Sequence, residues 1–212
     1  LSGAVAMFLI CAFLPLDARE VSSYFSTSWT SFRDELPSDY ILSMDFDKYG
    51  RLWIGTENGM ASFDGTVISK YMRGTGAVSG NELNAVLADK FYDRVWFATK
   101  RDGLGFYELR TGNSVFFRHD KANPNSPLSD EITCLRQDDA GNVWFGTYTK
   151  GVGKYNVETG TFTAFCPKNV VGMAEGNVCC IELAPDGKIY AGYFAEGFMV
   201  INPVSMTAEQ YI

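Results

Sequence analysis

The sequence is nearly without histidine: His119 is the single copy in 212 residues. Imidazole is the commonest metal ligand and the side chain best suited to acid–base work near neutral pH. One copy therefore leaves no material for a histidine-rich metal centre. His119 stands in the polar run Arg118-His119-Asp120-Lys121, just past a strand-like segment. A catalytic histidine needs a nucleophile or carboxylate converging on it, and this position predicts a solvated surface residue instead. HExxH, CxxC and glycine-rich phosphate-loop patterns are also missing. Asp45, Asp47, Asp138 and Asp139 lack the alternating ligand spacing of a calcium loop and read as turn residues. No metal and no cofactor is expected. A basic stripe is lacking too: 18 Lys and Arg stand against 25 Asp and Glu, with a net charge of −7 and both signs interspersed. That balance excludes a nucleic-acid surface. Long helical periodicity is absent past the N-terminus.

What the sequence has is aromatics at 15% and 21 glycines, which suits short strands joined by tight turns. Four segments repeat: Ile41 to Asp64, Leu83 to Glu108, Ile132 to Asn156 and Val178 to Asn202. An aromatic recurs in them at Trp53, Trp96, Trp144 and Tyr190, with spacings of 43, 48 and 46 residues. That period fits propeller blades of roughly 40–50 residues and is too long for leucine-rich or ankyrin units. The fold class predicted is all-β, a β-propeller of four-stranded antiparallel blades spanning 41–71, 83–118, 132–165 and 178–212.

Each repeat reads strand by strand. The first strand is apolar at its first and fourth positions and small at its third, at Ser43, Ala85, Cys134 and Cys180. A small column suits an inner strand crowded near the ring axis. A turn comes next, with Gly50, Gly141 and Gly187 in repeats one, three and four and Phe91-Tyr92-Asp93-Arg94 in repeat two. Then comes RLWIGT, RVWFAT, NVWFGT or KIYAGY, a nearly continuous apolar run of the kind buried on both faces. A second turn ends at Gly59, Gly103, Gly151 and Gly197. The third strand runs through Phe63, Tyr107, Tyr155 and Val200, and a more polar outer strand closes the unit. The fixed mid-strand place of the tryptophans predicts that they fill the wedge between blades, where large aromatics bury most area.

Residues 1–18 are of another kind. Leu1 to Leu16 is almost wholly apolar and is followed by Asp17, Arg19 and Glu20. This is short for a membrane span and fits the apolar part of a signal peptide truncated at its start. An N-terminal anchor is the alternative. Residues 24–32, around Trp29 to Phe32, look like one more outer strand. Because the fourth repeat already has Thr207 to Tyr211, that strand is expected to belong to a missing blade. The four repeats within 23–212 are then expected to form an incomplete part of a larger ring, with a self-sufficient four-bladed propeller as the alternative. Cys134, Cys166, Cys179 and Cys180 are expected to be small buried residues rather than disulfide partners, with Cys179 facing opposite to Cys180 and bordering the channel.

The pattern D-x-x-G-x-[LV]-W-[IF]-G-T, followed by Gly and an aromatic-Asp or aromatic-Asn ending, is similar to the two-component regulator propeller repeat. Leu36 to Gly65 looks like an opening blade of that family. Repeats one and three carry the resemblance most fully; repeat two has Ala98 for Gly, and repeat four has Tyr190 for Trp and Tyr193 for Thr. The resemblance implies a periplasmic sensor region of a hybrid two-component system, inner-membrane anchored in its full-length form, on a ring of about seven blades. It implies oligosaccharide ligands, with the remaining blades and a kinase region as partners. A homodimer is compatible with it, and it implies no enzyme activity in this segment. NVWFGT also resembles repeats of streptogramin-lyase propellers, and a protein-interaction scaffold is a third option.

Binding sites in repeat rings form where loops converge. The start of each inner strand and the turn between second and third strands share one face. Candidate ligand-binding residues there are Asp39, Tyr40, Asn58, Asn81, Arg101, Asp130, Tyr148, Lys150, Asn177 and Glu196. Asn84, Lys100, Thr133 and Phe194 lie on the same face. The mixture of amides, charges and aromatics suits a hydroxyl-rich ligand.

Overall fold

The computed structural model describes residues 35–212, so the leader reading of 1–18 and the outer-strand reading of 24–32 lie outside the described residues. Among the described residues sixteen strands form four sheets of four. The first sheet holds β1 (Ile41–Phe46), β2 (Leu52–Thr56), β3 (Gly59–Phe63) and β4 (Ile68–Tyr71). The second holds β5 (Leu83–Ala88), β6 (Arg94–Thr99), β7 (Leu104–Glu108) and β8 (Ser114–Phe117). The third holds β9 (Ile132–Gln137), β10 (Val143–Thr147), β11 (Val152–Asn156) and β12 (Thr161–Phe165). The fourth holds β13 (Val178–Leu183), β14 (Ile189–Tyr193), β15 (Phe198–Asn202) and β16 (Thr207–Tyr211). Within each sheet the strands pair antiparallel in sequence order. This is the blade of the all-β propeller that the repeats predict.

All four inner strands carry a β-bulge at their second residue. The register passes over Leu42 between Ile41 and Ser43, and likewise over Asn84, Thr133 and Cys179. A bulge adds one residue and re-aims the side chains beyond it. It therefore places positions one and four on one face, where plain alternation would place one and three. The apolar first and fourth positions in the sequence have this physical cause. The bulged residues Leu42, Asn84, Thr133 and Cys179 line a central cavity of about 480 Å³.

Packing is between blades. Trp53 and Met60 of the first blade bury with Leu83, Val86 and Ala88 of the second. Trp96 and Leu104 meet Ile132 and Leu135, and Trp144 and Val152 meet Val178 and Ile181. Ring contacts cross the same interfaces, with Tyr71 and Tyr107 centroids 4.9 Å apart and those of Trp96 and Tyr155 5.4 Å apart. The tryptophans thus sit in the wedges. A glycine is required where two side chains would compete for one space: a Cβ on Gly153 would enter the ring of Phe145.

Among the described residues the two end blades each leave one such face uncovered. Val86 and Ala88 are 5% and 6% exposed, whereas their counterparts Met44 and Phe46 are 59% and 66% exposed. At the other end Tyr190 is 39% exposed where Trp96 is 0% exposed. Tyr190, Phe198 and Tyr211 stack along this open face, the last two nearly parallel at 5.0 Å. Among the described residues the four blades form an open arc.

Cys134 meets the expectation of burial and Cys179 that of bordering the channel, whereas Cys180 departs from the expectation of burial. Cys134 is buried, Cys166 half-buried, and Cys179 and Cys180 exposed, all as free thiols. The bulge turns Cys179 into the central cavity. Cys180 occupies the position of Cys134, but on the blade whose outward face no described residue covers. Burial pushes the Cys134 thiol up to about 11, which makes it inert at neutral pH.

Candidate functional site

The face where inner strands begin is built on a repeated backbone lattice. The hydroxyls of Thr56, Thr99 and Thr147 donate to the carbonyls of Gly59, Gly103 and Gly151 at 2.8, 2.9 and 2.7 Å. Each hydroxyl also accepts a turn N–H, from Asn58, Asp102 and Lys150 respectively. The residue after each of these positions donates its N–H to the carbonyl just before the inner strand. Glu57 bonds Tyr40, Lys100 bonds Glu82, Tyr148 bonds Glu131 and Phe194 bonds Asn177, at 3.1, 2.9, 3.1 and 2.9 Å. The scaffold is thereby held by backbone, and the side chains at both positions are left to the face.

In the fourth blade Tyr193 stands where the others have threonine. Its ring is buried, and its hydroxyl has no hydrogen-bond partner among the described residues. Burial, with Glu196 adding repulsion, pushes that phenol up to about 12. The turn after it carries Ala195 at φ 62°, a left-handed conformation uncommon for a residue with a Cβ.

The structure distributes the ten candidate residues around this face. Arg101 and Tyr148 line one cavity of about 260 Å³, with Asn84, Lys100, Glu131 and Thr133. Asn58 and Asn81 hold each other, Asn81 Nδ2 donating to Asn58 Oδ1 at 3.1 Å. Asn81 Oδ1 also accepts from Arg73 N–H. Asp130 is tied into the scaffold: its carboxylate accepts the His119 N–H at 2.7 Å and its carbonyl accepts from Gly103. Asp39 and Tyr40 precede β1 at the open end, and Lys150 lies in the turn beside Tyr148. Asn177 and Glu196 flank Tyr193; the Asn177 side-chain oxygen is buried without a partner among the described residues.

Glu131 is not singled out by the sequence, yet it lines the cavity. The available signal is its repeat position, shared with Tyr40, Glu82 and Asn177. Electrostatically the cavity is unevenly matched. Lys100 pairs with Glu82 at 3.4 Å, and Arg118 pairs with Asp102 on the adjoining turn. Arg101 and Glu131 have no ion-pair partner among the described residues. A larger recess of about 480 Å³ lies at the opposite ends of the strands, lined by Lys48, Asp93, Arg94 and Arg110. There Asp93 is already engaged by Lys48 at 2.8 Å and Tyr49 at 2.7 Å. His119 is exposed, and its Nδ1 meets the Pro127 carbonyl at 2.8 Å.

The architecture is that of a β-propeller. Residues 35–58 and 126–149, the openings of the first and third blades, match the family described as two component regulator propeller. The extracellular domain assigned to a hybrid two-component system of B. thetaiotaomicron is 28% identical, with a TM-score of 0.76, over 82% of this chain and 25% of that one. The extracellular domain assigned to a one-component system of the same organism is 22% identical, with a TM-score of 0.64, over 83% of this chain and 25% of that one. Virginiamycin B lyase from Staphylococcus aureus shares the fold at 12% identity and a TM-score of 0.61, over 81% of this chain and 55% of that one. Among curated proteins, none matches. The chain spans about a quarter of the length of the two extracellular domains. No helix among the described residues is long and apolar enough to cross a membrane.

Proposed function

We propose that this chain is part of the periplasmic, ligand-sensing region of a hybrid two-component regulator and that it responds to oligosaccharides. One observation supports the reading above others: the 28% identity to an extracellular domain assigned to such a system, over 82% of this chain. The repeat match at 35–58 and 126–149 points the same way. In this reading the leader exports the region. Further blades cover Met44 and Phe46 at one end and Tyr190 and Phe198 at the other, and a kinase region lies elsewhere in the full-length protein. The face bearing Arg101 and Tyr148 supplies recognition rather than turnover, since propeller loops vary while strands are held by packing.

The test is a thermal-shift screen of the full chain against diverse neutral and acidic oligosaccharides. A saccharide that raises the melting temperature in proportion to its concentration is expected, because a ligand that binds only the folded state stabilises it. A screen in which no saccharide shifts the melt overturns the oligosaccharide reading.

A further inference from the structure

The geometry points to the cavity between the second and third blades as a subsite for an acidic saccharide, one bearing a carboxylate or a sulfate ester. This rests on the sensing reading above. The cavity's volume, about 260 Å³, falls just under the roughly 300–1,000 Å³ of pockets for drug-sized ligands, and so suits one sugar unit of a longer chain.

Its chemistry is directional. Arg101 and Glu131 line the same cavity and do not pair with each other. Opposite charges that face one space without closing on it leave room for a third group. Arg101 is the cation left over once Lys100 has taken Glu82 and Arg118 has taken Asp102. Its planar guanidinium matches the paired oxygens of a carboxylate or sulfate. The carboxylate of Glu131 is a hydrogen-bond acceptor, so it suits sugar hydroxyls. Tyr148 is half-exposed at the rim, held there by its N–H bond to the Glu131 carbonyl. An aromatic ring in that place offers an apolar face to the C–H side of a sugar. Thr133 and Asn84 contribute less, because both side chains already bond backbone carbonyls, of Val178 and Ile132.

The experiment uses matched pairs on the full chain: galacturonate oligomers beside their methyl esters, and sulfated galactose oligomers beside desulfated ones. Affinities are measured by calorimetry for the unsubstituted chain, Arg101→Gln and Tyr148→Ala. Both substitutions are at exposed turn positions, and thermal melts check that they leave the fold intact. The expected result is that one acidic oligomer binds and its neutral partner binds at least about tenfold more weakly, the scale of one hydrogen bond to a charged group. Arg101→Gln removes that preference, whereas Tyr148→Ala weakens both members of the pair. Which acidic series binds distinguishes carboxylate from sulfate. Equal binding of neutral and acidic members, or an undiminished preference in Arg101→Gln, overturns this inference and leaves the sensing reading standing. If no saccharide of either kind binds, the oligosaccharide reading itself fails and this inference with it.

Discussion

The indole N–H of Trp96 donates to Asp89 Oδ2 at 2.9 Å, and the carboxylate that accepts it is the hub of the second blade's buried end. Arg94 Nε bonds the same oxygen at 2.6 Å, and Gln137 of the third blade bonds Oδ1 at 2.9 Å. The Arg94 guanidinium lies over the Tyr92, Trp96 and Phe106 rings at 4.5, 4.8 and 4.8 Å. Trp53 and Trp144 donate likewise to Asp47 and Asp138. In the fourth blade both members change together, to Ala184 and Tyr190, while the hairpin still closes through the Ala184 N–H and the Lys188 carbonyl.

Asp89→Ala is expected to destabilise the chain by about 3–5 kcal/mol, the cost of leaving a buried charge unpaired. Arg94 would keep its charge inside an aromatic enclosure. Urea unfolding, read by tryptophan fluorescence, measures the loss. A change below about 1 kcal/mol, the scale of an exposed pair, would show that the hub carries little.

Stability should fall on the acid side. Burial raises the carboxyls of Asp47, Asp89 and Asp138, but the hydrogen bonds they accept more than offset it and hold each below its ordinary value. A depressed folded value gives stability that is fully present above the unfolded value of about 3.9 and is lost as pH falls through the folded one. Urea midpoints are therefore expected to stay level from neutral pH to about pH 5 and to drop below about pH 4. Asp89→Asn should make that drop shallower.

The turn hydroxyls provide an opposed pair of tests. Thr147→Val removes the acceptor of the Lys150 N–H and the donor to Gly151, and should cost about 1–3 kcal/mol. Tyr193→Phe removes a buried hydroxyl that has no partner among the described residues, and should be neutral or stabilising. Thermal melts of the two variants are predicted to shift in different directions, or only the first to shift.

Gly153→Ala should lower stability by about 1–3 kcal/mol through overpacking, because the added methyl meets the Phe145 ring. Combining it with Phe145→Leu is expected to recover part of the loss. Without recovery, the clash lies elsewhere.

The open blade faces predict self-association of the isolated chain. Contiguous exposed apolar surface promotes contacts between molecules, and Met44, Phe46, Tyr190 and Phe198 supply it here. Light scattering should show a mass that rises with concentration, and Phe46→Asp with Phe198→Asp should bring it toward the monomer. A monomer at every concentration would contradict this.

The blade was legible in the sequence because its cause is local. The aromatic of β2, β6 and β10 recurs every 43 to 48 residues, and the first three units repeat the same hydrogen bonds from indole to aspartate and from threonine to the glycine carbonyl. The bulge was not legible, although its consequence was. The apolar first and fourth positions of Ile132-Thr133-Cys134-Leu135 contradict plain alternation, and only the pairing of Ile132 with Thr147 and Cys134 with Gly146 explains them. The exposure of Cys180 was hidden for a related reason. Its own strand looks like that of Cys134, and exposure depends on a neighbouring blade that its local sequence does not describe. The candidate face was legible as a face but not as a cavity. Which of its side chains meet depends on contacts across blades, and Asp130 is spent on His119 while Arg101 is not.

The lattice beneath that face has an evolutionary consequence. The residues after the turn threonines are Glu57, Lys100 and Tyr148, and Phe194 comes after Tyr193: an acid, a base and two aromatics, all fastened by the same main-chain bond. Since the fastening ignores side-chain identity, mutation at these positions is released from purifying selection on folding. Duplicated units can therefore diverge in what they touch without relearning how to fold, and the face can drift toward new chemistry one blade at a time.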